Sequence, residues 1–308
     1  MSYPMLPLTQ AGEALLVATH YEGSQAKWDH VPDCLGGHWE GEDSLVLGES
    51  GIRLRGVKDP AWADLQGGNF PALVPAGSQA PVVVLVDVTV TCGAGPALLI
   101  DLREVPGRGV RVPATSLVRV LGGLRDGTIG FDELVQEMDT TGTYQGDCWA
   151  PSNPTPTAVV RTGFPRFPAT AAEGVTLLVR TDFGDPDGWA ALLDELGGVD
   201  EDGRTALDFD RLKADEPSLT SLVLDDRVFE SLQPGQVPAL VPPGLEFTMV
   251  ALADEATMTH PAHPLLVTDL YDTPGHAIRV PLNVVGSMAC NLEIGNMDFY
   301  EFDGFADE

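Results

Sequence analysis

Lysine is nearly missing from this chain: there are three, at positions 27, 58 and 213, among 308 residues. Lysine and arginine together number 17 against 46 acids, for a formal net charge of −29. A surface of that sign repels phosphates and anionic lipid, so neither nucleic acid nor a membrane is an expected partner. Cysteine is scarce as well. Cys34, Cys92, Cys148 and Cys290 include no CxxC pair, which argues against a disulfide scaffold or a zinc ribbon and fits free thiols in a reducing cytoplasm. No run of eighteen apolar residues occurs, and the opening MSYPMLPLTQ lacks a basic segment followed by an apolar stretch. Neither a membrane span nor a secretory leader is expected, and the expected location is the cytoplasm. Also missing are a GxSxG elbow, a Walker loop, an HExxH pair and a GxGxxG between strand and helix. No cofactor is implied.

What the chain does have is an internal echo. PALLIDLREVPGRGVRVP from Pro96 returns as PLLVTDLYDTPGHAIRVP from Pro264, LLVATHY from Leu15 as LLVRTDF from Leu177, and PALVPAG from Pro71 as PALVPPG from Pro238. At the same offsets Asp87 lies over Asp254, and Phe131 over Phe299. Self-similarity at this spacing marks a tandem duplication. A first, diverged copy covers residues 1–145, a proline-rich linker 146–174, and a second copy 175–308. The linker prolines favour extended backbone, and its Trp149, Phe164 and Phe167 are expected to lie along one or both domains.

Each copy opens with an apolar strand and a tryptophan-bearing helix. Further strands follow near 81–88 and 246–253, then a duplicated hairpin turning at Pro-Gly, and one or two closing helices. The class is α/β, with α+β as the alternative: a small mixed sheet with packed helices, made twice. Apolar content of 44% suffices for two cores.

The candidate sites are weaker than the duplication. DGTIGFDEL from Asp126 resembles the back half of an EF-hand loop. With Gly127 at loop position 6, positions 1 and 3 fall on Gly122 and Leu124, so two carboxylates are missing and calcium is not expected. Asp101 with Arg111, and Asp269 with Arg279, flank the Pro-Gly turns, and a cross-strand ion pair accounts for each. A site for a substrate carboxylate is the functional alternative. Asp87 and Asp254 stand at strand ends, where turn capping is the commoner role. His260 and His263 have a spacing that could serve zinc beside Asp269 or Asp272, but the flanking prolines argue for a turn. Ser287 and Cys290 lie in an apolar helical pattern without a base, which assigns them to the core.

The set LLVRTDF, a following tryptophan helix, PLLVTDL, PG, RVP and NMDFYEF resembles an uncharacterised domain family of mainly actinobacterial proteins. The second copy matches throughout. The first departs, with His20 in place of the acid in TDF. The resemblance implies no activity and supports the domain boundaries.

Two kinds of function fit. One is a non-enzymatic acidic module that captures a basic protein partner, such as an immunity or inhibitor factor for a toxin. The other is an enzyme whose site lies in the second copy around Asp182, Asp254, Asp269 and Arg279, which requires a pocket where carboxylates converge. Mimicry of DNA by an acidic face is a third option. Solvation alone also explains an acidic surface.

Overall fold

The structure, a computed structural model, describes residues 3–21, 25–49, 51–63, 65–146, 161–169, 175–205, 219–245 and 247–307. Cys148 and Trp149 lie outside the described residues. The chain divides into two compact units, Met1–Asn153 and Pro154–Glu308.

The first unit runs β1 (Ala14–Ala18), α1 (Gln25–Asp29), α2 (Val31–Leu35), β2 (Gly37–Glu40), β3 (Ser44–Leu47) and β4 (Ile52–Val57). After 3-10 turns at Pro60–Trp62 and Gly67–Leu73 come β5 (Val82–Val86), α3 (Val88–Gly93), β6 (Ala97–Asp101), β7 (Gly109–Val112), α4 (Ala114–Asp126) and α5 (Phe131–Gln136). The sheet order is β2-β3-β4-β1-β5-β6-β7. Strand β1 pairs parallel with β4 and with β5, and the other strand pairs are antiparallel.

Strand β5 reads VVVLV and is buried along its whole length, because the sheet is covered on both faces. Alternate side chains point to opposite sides. Leu16, Ala18, Val84 and Val86 meet the helices through Trp28, Val31, Leu117 and Phe131. Leu15, Val17, Val83 and Leu85 meet Trp62, Phe70 and Leu73 of the 3-10 segment. Each buried leucine or phenylalanine contributes about 1.5–3 kcal/mol relative to exposure.

The second unit repeats this plan with β8 (Thr176–Arg180), α6 (Pro186–Glu195), β9 (Arg204–Thr205), β10 (Ser221–Leu224), β11 (Met249–Ala253), α7 (Glu255–Thr259), β12 (Leu265–Asp269), β13 (Ala277–Val280) and α8 (Leu282–Glu293). Its order is β13-β12-β11-β8-β10-β9, with β8 parallel to β10 and β11. Strand β8 thus answers to β1, β10 to β4, β11 to β5, and β12–β13 to β6–β7. Helices cover one face through Trp189, Leu192, Val285 and Met288, and 3-10 turns cover the other through Phe229, Val237 and Leu240. No helix among the described residues is long and apolar enough to cross a membrane.

Residues 161–169 pack on the second unit. Phe167 is buried beside Phe229 and its N–H donates to the Leu240 carbonyl at 2.9 Å. The first unit has the same strap, where the Leu6 N–H donates to the Leu73 carbonyl at 2.8 Å. YPMLP from Tyr3 and FPRFP from Phe164 are therefore one more pair in the duplication, ahead of the copies legible in sequence.

Two expectations require correction. Ser287 and Cys290 sit on the exposed side of α8 rather than in the core; Val285 and Met288 face inward instead. The cross-strand pairs are also different. Arg111 stands opposite Leu98 and Arg279 opposite Leu266, at the far end of each hairpin from Asp101 and Asp269.

Candidate functional site

The carboxyl ends of the three parallel strands are where the two units can be compared atom by atom. In the first unit the chain leaves β1 toward the helical face and leaves β4 toward the 3-10 face, since Trp28 and Trp62 join opposite cores. Adjacent parallel strands whose connections part in this way leave a crevice between them, the usual ligand position in open α/β sheets. A cavity of about 250 Å³ lies there.

Ala18, Val86 and Pro60 supply its apolar lining, and Lys27 and Lys58, with the His20 ring beside Lys27, its polar lining. Lys27 Nζ lies 3.4 Å from His20 Nε2 and 3.2 Å from Cys92 Sγ. Lys58 Nζ stands 5.2 Å from the Trp28 ring centroid, and Trp28 stacks on Trp39 at 5.3 Å. Gly56 makes room for this arrangement: a Cβ there would sit 2.8 Å from the Trp28 ring. Tyr21 donates to the Ala18 carbonyl at 3.0 Å and accepts from the Asp59 N–H at 2.9 Å. Burial raises its hydroxyl above the usual tyrosine range; the Asp59 N–H bond works against that and the Asp59 charge adds to it. The phenol stays protonated and ties the strand end to the following turn.

The second unit fills the same position from within. The registers equate Ala18 with Arg180, His20 with Asp182, Tyr21 with Phe183, and Lys58 with Asp225. Arg180 is 7% exposed. Its guanidinium lies 4.5 Å from the Phe183 ring centroid and 5.2 Å from that of Trp189. Nη1 bonds Asp225 Oδ1 at 3.2 Å, Nε donates to the Asp182 carbonyl at 2.9 Å, and Trp189 Nε1 donates to Asp225 Oδ2 at 2.9 Å. One arginine thus occupies what Ala18 leaves open, and the charge lining the position changes sign.

The repeated acid and arginine form a staple in both units. Asp254 caps α7 through the Thr257 N–H at 3.0 Å and holds Arg279 with two bonds, 2.6 and 3.0 Å. Arg279 also donates to the Pro264 carbonyl at 3.1 Å. Burial works to raise the Asp254 carboxyl, but the Arg279 bond and charge and the Thr257 bonds outweigh it and hold the carboxyl below the usual aspartate range. Asp87 caps α3 and bonds Arg111 at 2.9 Å in the same way.

Both segments match the model of a family described as Domain of unknown function (DUF6924), over residues 13–147 and 175–308. The chain belongs to that family. No curated protein and no solved structure matches it.

Of the four residues singled out from sequence, only Asp254 and Arg279 of the second DUF6924 copy touch. Asp182 follows β8 on the same edge and accepts from the Gly184 N–H at 3.2 Å. Asp269 lies beside Met249, at the start of β11, and so on the opposite edge of the sheet from Asp254. There it accepts the backbone N–H groups of Tyr271, Asp272 and Thr273 at 2.6–3.1 Å. Burial, reinforced by the Asp272 charge and opposed by those N–H bonds, pushes its pKa up to about 7. Asp101 holds the equivalent loop in the first copy, with Arg108 Nε added at 3.1 Å. His276 replaces Arg108 in the second.

His263 is buried with Nδ1 2.8 Å from the Thr257 carbonyl, and His260 Nδ1 accepts the Ala262 N–H at 3.1 Å. Asp126 pairs with Arg125 at 2.8 Å. Among the described residues no group of three or more His, Cys, Asp or Glu is arranged to hold a metal ion. Sequence reading passed over Lys27, Lys58 and Trp28 as a set. The signal was there: two of the three lysines of a strongly acidic chain lie in one copy, each 30 residues or so from the other and both near a tryptophan helix or a strand end.

Proposed function

We propose that the chain is a non-enzymatic binding protein whose second unit docks a basic protein partner. The observation that supports this is the charge of one edge. Between Arg180 and Arg204 the sequence has no cation, and Asp187, Asp194, Glu195, Asp200, Glu201 and Asp202 are all exposed, on α6 and the turn leading to the edge strand β9. Such an edge attracts a basic surface over a range set by ionic strength. The enzymatic reading loses support because its four side chains do not converge: Asp254 and Arg279 neutralise each other, and Asp269 is buried at the other end of the sheet.

The test neutralises Asp187, Asp194, Glu195, Glu201 and Asp202 as amides and leaves Asp200, whose carboxylate accepts the Asp202 and Arg204 N–H groups in its turn. Native extract is passed over both forms at low and high salt. A basic protein held by the parent chain at low salt, shed at high salt and lost with the variant is the expected result. Equal retention by the two forms contradicts the reading, and capture of duplex-DNA-binding proteins alone turns it into DNA mimicry.

A further inference from the structure

We infer that the crevice of the first unit is a binding site for a small aromatic carboxylic acid. Its place is the one the topology reserves for ligands, between parallel strands with diverging connections. Its chemistry is divided. Ala18, Val86 and Pro60 supply an apolar floor, where a flat ring gains by leaving water. Lys27, whose Nζ lies 3.4 Å from His20 Nε2, supplies an ammonium donor, and Lys58 also lines the cavity.

Charge selects an anion. Two of the three lysines of a chain carrying −29 line this one cavity, a local concentration of cations that favours a small anion there. Size admits a ring. Benzene occupies an apolar cavity of about 150 Å³, and 250 Å³ has room for a ring with its carboxylate. Capping selects carboxylate over phosphate. A phosphate is best held by backbone N–H groups at a helix start, but here the N-terminus of α3 is already taken by Asp87, which accepts the Val90 N–H at 3.2 Å. In the second unit Arg180 fills the equivalent space from within, and Asp225, where the first unit has Lys58, meets its charge.

Calorimetric titration of the full chain with sodium benzoate at low salt tests this. A single ligand per chain is expected. Lys27→Met weakens binding by about tenfold or more, the loss of one charge-assisted contact, and benzyl alcohol, which keeps the ring and loses the charge, binds more weakly by a similar factor. Ala18→Leu fills the floor and abolishes uptake. Lys27 is on the cavity wall and outside both hydrophobic cores, so its variant remains decisive if Ala18→Leu fails to fold. Benzoate binding unchanged in Lys27→Met, inorganic phosphate binding as tightly as benzoate, or no benzoate uptake at millimolar concentration would each overturn the assignment.

Discussion

The first and second units share strand order, register and staples, yet differ at the one place where open α/β sheets hold ligands. Alanine, histidine and lysine stand in the first where arginine, aspartate and aspartate stand in the second. The second unit closes its crevice with an ion pair packed on two aromatic rings; the first leaves a cavity with cations beside it. Duplication here preserved what the fold requires, the Asp87–Arg111 and Asp254–Arg279 pairs, and released what it does not. The same contrast recurs at the opposite edge. Asp101 has Arg108 as a partner, with both side chains at most 4% exposed, whereas Asp269 faces a histidine position.

The largest effect expected from breaking this symmetry is at Arg108. Arg108→Ala strands Asp101 in a buried loop and costs the first unit about 3–5 kcal/mol. His276→Ala removes an imidazole where Arg108→Ala removes a guanidinium, and costs less. Hydrogen exchange followed separately in the peptides of each unit distinguishes them, and equal losses would erase the contrast.

Arg180→Ala opens the second crevice. It removes two cation–π contacts and a partly solvent-screened ion pair, a loss of about 2 kcal/mol confined to the second unit. Exchange of the Trp189 indole N–H should rise as Asp225 is freed. An unchanged rate would mean that Arg180 does not hold that carboxylate in place.

The smallest effect is the most specific. The Asp269 pKa is raised to about 7, above the ordinary aspartate value, so between roughly pH 4 and 7 the folded unit retains a proton that the unfolded chain releases. Its stability therefore falls as pH rises through that window and stays low above it. His276→Arg imports the partner that the first unit has, and reduces the stability lost between pH 4 and pH 7 by roughly 1 kcal/mol. An equally steep slope in that variant contradicts the role assigned to the replacement of Arg108.

Much of the fold was legible in sequence because it was written twice. The apolar strands β1, β5 and β6 recur at nearly constant offset as β8, β11 and β12, and a domain in two copies follows from that echo alone. Strands β2 to β4 and β9 to β10 fall where the copies differ in length, so repetition gave no help, and runs such as GHWE and SLVL are too short for periodicity to act on. The pairing of charges was misread for a different reason. Asp101 and Arg111 are close in sequence, but β7 runs antiparallel to β6 and carries Arg111 to the far end, where its partner is Asp87, 24 residues away. Proximity along the chain is a poor guide to ion pairs when a hairpin intervenes. The crevice was hidden because its residues come from three separate strand ends and two helices, and only His20 with Tyr21 and Lys27 with Trp28 are neighbours in sequence.

The most direct test of the asymmetry is a crystal of the full chain soaked with 4-bromobenzoate, its bromine located by anomalous scattering. The account predicts one bromine per chain, in the first unit between Ala18 and Lys58, with Arg180 of the second unit still packed on Trp189. A bromine beside Arg180, or none in the first crevice at a concentration where benzoate binds in solution, would contradict it.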